Sequence, residues 1–147
     1  MKLGFGIVLL FASSIAYASD NVEVARTENW IIKRSLDSMT DKKECLAYYQ
    51  ENRKIQFDEE SLAVGGLEWP KGFRYRLDDN SPSDMKLTDD LDKKMGAIFI
   101  MGKKNIAGLV NSNRLRIRVT ASKTVEYDIN TSDLKQVVGY LRSDLCK

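Results

Sequence analysis

The chain has 147 residues, of which 43% are hydrophobic and 30% charged, with 23 basic and 21 acidic side chains. This nearly neutral balance provides no global field that would attract nucleic acid or an anionic membrane, so no nucleic-acid partner is predicted. The absence of histidine excludes serine–histidine and cysteine–histidine catalysis, and two cysteines alone cannot build a structural zinc site.

The first eighteen residues have the organisation of a secretory signal peptide. Lys2 precedes an apolar run over residues 3–15, and Ala16-Tyr17-Ala18 forms a small-x-small cleavage site. The run is shorter than the ~20 residues that a membrane helix needs, and no later segment approaches that length. We therefore predict cleavage after Ala18, no transmembrane segment in the mature chain, and a periplasmic or secreted location.

The mature chain is long enough for one ordinary domain with a single hydrophobic core. Its polar opening, residues 19–27, is predicted to be a flexible segment, and residues 28–147 form one β-rich domain. Alternating apolar and polar residues predict strands, in chain order, at residues 28–36, 45–51, 55–57, 61–64, 73–78 and 97–101.

Two later segments have helical features. Residues 85–94 are ambiguous, because Leu87, Leu91 and Met95 fall at helical spacing but the caps are weak. Residues 104–110 predict one or two helical turns with an apolar inner side. A loop over residues 79–84 precedes the ambiguous segment and contains a Ser-Pro break.

The clearest local structure is a hairpin near the end of the chain. Apolar residues at 115, 117 and 119 and at 125, 127 and 129 alternate with charged residues on either side of a three-residue loop. Pairing Thr120 with Thr124 stacks the apolar residues on one face and leaves charged pairs on the other, namely Arg118 with Glu126 and Arg116 with Asp128. The stripe that begins at Arg114 is therefore interpreted as a solvated, self-neutralised face, with an anion or nucleic-acid patch as the alternative.

The chain ends in a predicted amphipathic helix over residues 131–146. Thr131 or Ser132 can cap this helix, and Asp133 lies in its first turn. Its apolar stripe consists of Leu134, Val137, Val138, Leu141 and Leu145.

Cys45 and Cys146 are the only cysteines, one at the start of a predicted strand and one at the end of the last helix. In an oxidising compartment we predict one long-range disulfide between them. A redox pair and an intermolecular bridge are the alternatives, although the chain has no Cys-x-x-Cys motif.

Two clusters are candidates for binding. Trp69 precedes Pro70 in a turn, and Arg74 and Arg76 project from one face of the next strand, which suits a glycan or a protein partner. The alternative is a tryptophan that caps the core. The second cluster is acidic and contains Asp84, Asp89, Asp90 and Asp92. Carboxylates could hold Ca²⁺, but the spacing does not match the twelve-residue calcium loop. We therefore predict a solvated loop, with no metal site and no cofactor.

Three landmarks in a fixed order resemble a known group of proteins. A tryptophan strand, an Asp-containing turn and a charged strand span residues 30–43, and Tyr75-Arg76-Leu77-Asp78 precedes a Ser-Pro loop. An Ile-x-Gly-Leu segment, a Leu-x-Ile-x-Val hairpin, a terminal helix and a last cysteine occupy residues 106–146. This order resembles the small exported β-sandwich proteins of the type VI secretion-associated TagO/VasI-like group and, less closely, the invasion-associated locus B family. The resemblance implies the architecture, and it supplies no catalytic residues.

We therefore predict a mainly β fold, a single antiparallel β-sandwich-like domain with a C-terminal amphipathic helix and one disulfide. No catalytic constellation stands out, so the predicted function is a non-enzymatic interaction protein of the periplasm, accessory to a secretion or envelope assembly, with a protein partner. One alternative is an inhibitor or adhesion factor that acts on a host or cell-wall partner, such as a lysozyme inhibitor. Another is a hydrolase that uses two carboxylates converging in a deep cleft.

Overall fold

A computed structural model describes residues 21–147, and the predicted signal peptide, residues 1–18, lies outside them. The strands are β1 (Val22–Arg26), β2 (Trp30–Leu36), β3 (Lys43–Tyr49), β4 (Ile55–Phe57), β5 (Ser61–Val64), β6 (Gly72–Leu77), β7 (Lys86–Leu87), β8 (Ile98–Met101), β9 (Arg114–Thr120) and β10 (Thr124–Asn130). The helices are α1 (Asp90–Met95), α2 (Lys103–Val110) and α3 (Leu134–Arg142). Among the described residues, no helix has the length and apolar character needed to cross a membrane.

The strands form two antiparallel sheets. Sheet A has the order β1-β2-β3-β4-β5-β8, and sheet B has the order β10-β9-β6-β7. One hydrophobic cluster contains the inward side chains of both sheets together with Leu134 and Val137 of α3. The predicted mainly β, sandwich-like fold is therefore confirmed.

Trp30 is a central contact between the two sheets. Its ring is fully buried, with its centroid 5.1 Å from that of Tyr49 and 6.1 Å from that of Phe57. Its indole Nε1–H donates a hydrogen bond of 3.3 Å to the carbonyl oxygen of Asn130 on β10. The ring thus packs against aromatic side chains of sheet A, and its N–H group is hydrogen-bonded to sheet B, as buried tryptophans generally require.

The predicted hairpin register and the predicted disulfide are both confirmed. Thr120 pairs with Thr124, and the remaining residues of β9 and β10 follow in the expected order. Cys45 of β3 is bonded to Cys146, with a Cα–Cα distance of 5.5 Å and 101 positions between them in the sequence. The bridge joins sheet A to the segment that follows α3.

The opening segment differs from the prediction. Residues 19–27 were expected to be flexible, but residues 22–26 form β1, which pairs antiparallel with β2. Val24 and Ala25 pack against the core, and a bulge shifts the register between Glu23 and Ala25. Three of the five residues of β1 are apolar, but the bulge turns the adjacent Val24 and Ala25 toward the core, so the strand lacks strict period-two alternation.

The start of the last helix also differs from the prediction, because α3 begins at Leu134 instead of residue 131. The hydroxyl of Thr131 is buried and forms a hydrogen bond of 2.7 Å with that of Ser112, so it is not available as a cap. Ser132 donates its hydroxyl proton to the side-chain oxygen of Asn130. Asp133 occupies the N-cap position instead of the first turn.

The end of the helix is earlier than predicted as well. α3 ends at Arg142, and Ser143 has extended backbone angles, with its hydroxyl donating to the carbonyl oxygen of Tyr140. This local bond offers the backbone an alternative to a further helical turn. Leu145 consequently lies outside the apolar stripe and is 39% exposed.

The ambiguous segment 85–94 contains both a strand and a helix. β7 pairs with β6, and α1 follows after a capping box formed by Asp89 and Asp92. The three apolar residues at helical spacing, Leu87, Leu91 and Met95, are all exposed. The other predicted strands and α2 lie within two residues of their observed bounds.

A candidate anion-binding groove on sheet B

The outward face of sheet B carries arginines from two neighbouring strands. Phe73 and Tyr75 of β6 point toward the core, so strand alternation directs Arg74 and Arg76 outward. The same alternation on β9 directs three arginines to this face. Together they line a groove of about 430 Å³, which we call the arginine groove, with Arg74, Arg76, Arg114, Arg116, Arg118, Pro82, Glu126 and Asp128 among its lining residues.

The pairing of β6 with β9 places like charges opposite each other. Arg74 is the cross-strand neighbour of Arg118, and Arg76 is the neighbour of Arg116. Like charges directly opposite on one face destabilise a sheet pair. Two such pairs in adjacent rows concentrate positive charge along the line between β6 and β9.

The carboxylates of β10 neutralise only part of this charge. Glu126 accepts a hydrogen bond of 2.6 Å from Nε of Arg118, as the hairpin register predicted. Asp128 lies opposite Arg116 in the register, but its carboxylate accepts two bonds, of 2.9 and 2.6 Å, from Arg114. The predicted placement of Asp128 opposite Arg116 is therefore confirmed, but the carboxylate forms its ion pair with Arg114, whose bidentate geometry holds it one row away.

The arginines nearest to β6 have weaker compensation. Arg116 donates a hydrogen bond of 2.6 Å to the carbonyl oxygen of Asp78, and its nearest carboxylate is that of Asp79, at 3.7 Å. The buried Nε of Arg116 has no hydrogen-bond partner among the described residues. Arg76 donates to the backbone carbonyls of Asp79 and Asn80. Within residues 21–147, no carboxylate lies within 4.0 Å of the exposed Arg74 guanidinium. The positive charge is thus least neutralised beside β6.

One wall of the groove is the loop after β6. Asp78 begins this loop with a left-handed φ of 50°, and its carboxylate accepts the backbone N–H groups of Asn113 and Arg114 at 2.9 and 3.0 Å. Asp is one of the few residues with a side chain that adopts this conformation readily. Ser83 then returns the loop to β6 through two hydrogen bonds with the backbone of Tyr75. The groove is therefore bounded by anchored backbone.

The Arg114–Asp128 pair gives a prediction for titration. The hydrogen bond from Arg114 lowers the pKa of Asp128 below its usual value, so the pair's contribution to stability is present above the ordinary carboxyl pKa and is lost as the pH falls. We expect Arg114→Gln to raise the pKa of Asp128 toward that ordinary value, measured by carboxyl NMR titration. Arg74→Gln is the control and should leave this pKa unchanged, and a similar shift in both variants would contradict the assignment.

Trp69, the third residue of the predicted binding cluster, is not part of the groove lining. It lies in the loop before β6 with a φ of 49° and is 54% exposed. The structure therefore places Arg74 and Arg76 on one face and leaves Trp69 apart from them. Sequence reasoning missed that the arginines of β9 join those of β6, and the only available signal was the shared period-two spacing of arginines in both strands.

The acidic cluster over residues 84–92 has local structural roles. Asp89 and Asp92 form the capping box of α1, and Asp90 lies 3.8 Å from the ammonium group of Lys93. In the part of the chain that the structure describes, no group of three or more His, Cys, Asp or Glu side chains is placed to hold a metal ion.

A second groove, of about 690 Å³, lies on sheet A. Its charged lining has both signs, with Lys42 and Glu44 separated by 3.9 Å and Lys33 lying 5.7 Å from the ring centroid of Tyr48. This mixed lining does not favour a ligand of one charge. The arginine groove, with five arginines and two carboxylates in its lining, has the clearer excess of one charge.

Comparisons with protein-family models, with curated proteins and with solved structures found no match for this chain. The fold and the groove together define a disulfide-bonded, β-sandwich-like domain with a cationic groove on one outer face. The chemistry of that groove is the basis for the function proposed below.

Proposed function

We propose that this chain is an exported, non-enzymatic interaction protein of the periplasm, accessory to a secretion or envelope assembly, that binds an anionic segment of a protein partner in the arginine groove. The observation that carries the proposal is the pair of like-charge rows, Arg74 with Arg118 and Arg76 with Arg116. A carboxylate placed between two such arginines would relieve their repulsion, so binding would offset a cost that the free fold bears.

Arginine suits this role better than lysine. Its planar guanidinium presents several N–H donors in a fixed arrangement and binds carboxylates in a bidentate manner. Arg114 already binds Asp128 in that way, whereas Arg74 projects from the same face with its guanidinium free of carboxylates within the described residues. The groove therefore contains both an occupied and an unoccupied example of the same recognition geometry.

Two features support export. Residues 1–18 have the pattern of a cleavable signal peptide. The Cys45–Cys146 disulfide is of a kind that persists in oxidising compartments such as the periplasm and is rare in the cytosol.

The test is the binding of a fluorescently labelled hexaglutamate peptide, measured by anisotropy at low and at physiological salt. We expect the double variant Arg74→Gln with Arg118→Gln to weaken binding by about tenfold at low salt, because two charge-assisted contacts are lost. The matched control is Lys103→Gln with Lys104→Gln, which removes two exposed positive charges from α2, outside the groove. Equal losses in both double variants, or no loss in the first, would contradict the proposal. A crosslinking pull-down from the periplasm with the same variants would then identify the partner.

A second candidate function, an inhibitor or adhesion factor for a host or cell-wall partner, is favoured by the exposure of Trp69. A tryptophan that is 54% exposed in a loop is the type of residue that anchors protein interfaces. If the chain inhibits lysozyme, Trp69→Ala should reduce the inhibition while leaving the fold intact. Undiminished lysozyme activity in the presence of excess protein would exclude the inhibitor version.

A further inference from the structure

We infer that the partner segment is an extended polypeptide in which two acidic side chains and one apolar side chain occupy alternate positions, and that this segment lies along the outer side of β6. This inference rests on the proposed function and adds the chemistry of the bound segment. Its acidic side chains would meet Arg76 and Arg74, and its apolar side chain would meet Met85 and Leu87.

The apolar part of this surface lies next to Arg74, at the beginning of β6. Gly72 has no side chain, and the Cβ position on its outward side is 3.1 Å from Sδ of Met85 and 3.6 Å from Cδ2 of Leu87. Both side chains therefore lie on the same face of sheet B as Arg74. Leu87 is 83% exposed and Met85 is 42% exposed, so this apolar surface is accessible to solvent.

The position of β7 explains why Leu87 is uncovered. β7 is the last strand of sheet B, and within residues 21–147 it pairs only with β6. The backbone N–H of Thr88 donates a hydrogen bond to the carbonyl oxygen of Lys71. In an antiparallel pair, hydrogen-bonded positions alternate with positions that are not hydrogen-bonded, so the next pair, Gly72 and Leu87, is of the second kind. The backbone N–H and C=O of Leu87 therefore point away from β6. An exposed apolar surface that adjoins a charged groove is typical of an interaction site.

The charge pattern across sheet B places the segment over β6. The carboxylates of Glu126 and Asp128 lie on β10, at the opposite edge of the sheet, where they would repel an acidic segment. The apolar residues lie on β7, next to β6. A segment with acidic and apolar side chains therefore matches the half of the face that contains β6 and β7.

The spacing of the three contact points favours an extended segment. Arg76, Arg74 and Gly72 are successive outward positions of one strand, so they are separated by about 6.6 Å along it. Alternate side chains of an extended peptide have this same separation.

The test uses four labelled peptides whose affinities are measured by fluorescence anisotropy. The first has Glu, Glu and Leu at alternate positions with serine between them, and the second has the same residues in reverse order, because the face does not determine chain direction. The third replaces Leu by Ser, and the fourth separates the Glu and Leu residues by four positions. We expect one of the first two peptides to bind the wild type about tenfold more tightly than the third or the fourth. The third peptide has no leucine to bury, and the spacing of the fourth prevents its leucine and its glutamates from making their contacts together.

Two variants separate the inference from the function on which it rests. Leu87→Ser should bring the affinities of the Leu and Ser peptides within about twofold of each other, while the Ser peptide keeps its wild-type affinity. Arg74→Gln should weaken both peptides equally. Circular dichroism of each variant serves as the control for folding, and a change to the exposed Leu87 should leave the spectrum unaltered.

Several outcomes would overturn the inference. If the Leu and Ser peptides bind the wild type equally, or if Leu87→Ser leaves the ratio of their two affinities unchanged, the proposed apolar contact is wrong. The proposed function is then still decided separately, by the hexaglutamate experiment. If the four-position peptide binds most tightly, the segment is helical and not extended. If phosphatidylglycerol vesicles bind the wild type but not Leu87→Ser, and no peptide binds, the surface docks on a membrane and the inference fails.

Discussion

Replacing both cysteines, Cys45→Ser with Cys146→Ser, is expected to lower the free energy of unfolding by about 2–5 kcal/mol. The bridge joins positions that are 101 residues apart, so it closes most of the domain into one covalent loop. In the chain-entropy account, a loop of ~100 residues restricts the unfolded chain by about 4.7 kcal/mol. The measurement is urea unfolding monitored by circular dichroism.

The control for this prediction is the wild type unfolded in the presence of a reductant, which should match the double variant. Cys146 is nearly buried, and the serine replacements are small, so packing changes contribute little beside the loss of the cross-link. If the unreduced wild type reacts fully with a thiol reagent, the disulfide assignment is wrong. If the double variant unfolds at the same denaturant concentration as the oxidised wild type, the bridge does not stabilise the fold.

The second large effect is expected from Trp30→Ala, which should destabilise the fold by about 3–5 kcal/mol. The ring is fully buried between Tyr49 and Phe57, and its removal leaves a cavity and an unpaired carbonyl oxygen at Asn130. The matched control is Trp69→Ala, because Trp69 is largely exposed and its loss should change stability by no more than about 0.5 kcal/mol.

Trp30→Phe separates the two contributions of the buried tryptophan. Phenylalanine retains an aromatic ring in the core but removes the Nε1–H donor that reaches Asn130. We expect an intermediate loss of stability, measured by the same urea unfolding experiment. Equal effects of Trp30→Ala and Trp69→Ala would contradict the assignment of Trp30 as the core contact between the sheets.

The parts of the fold that were predictable from the sequence are those with strong local patterns. The register of β9 and β10 followed from strict alternation on both sides of a short loop, since a shift of one residue would have placed apolar beside charged residues. The disulfide followed from having only two cysteines together with the prediction of export. β1 was missed because its bulge interrupts the period-two alternation that marks a strand.

The candidate site was harder to predict because it depends on pairing between distant segments. Arg74 and Arg118 are neighbours only because β6 pairs with β9, and no local pattern in either strand indicates that partner. Asp128 was predicted to neutralise Arg116, but the choice between Arg114 and Arg116 depends on side-chain geometry that the register does not determine. Likewise, the exposure of Leu87 depends on the edge position of β7.

The placement of the disulfide also has a mechanical consequence. A pulling force applied at the C-terminal end enters the fold through Cys146 and passes directly to β3, so it bypasses α3 and all of sheet B. The polypeptide between Cys45 and Cys146 cannot lengthen under tension while the bridge is intact. Of the residues that precede the bridge, those described are 21–44, and they contain β1 and β2, with β2 held to β3 by antiparallel pairing. Tension between the two ends would therefore extend only the portion of the chain that precedes Cys45, while the arginine groove stays within the covalently closed loop.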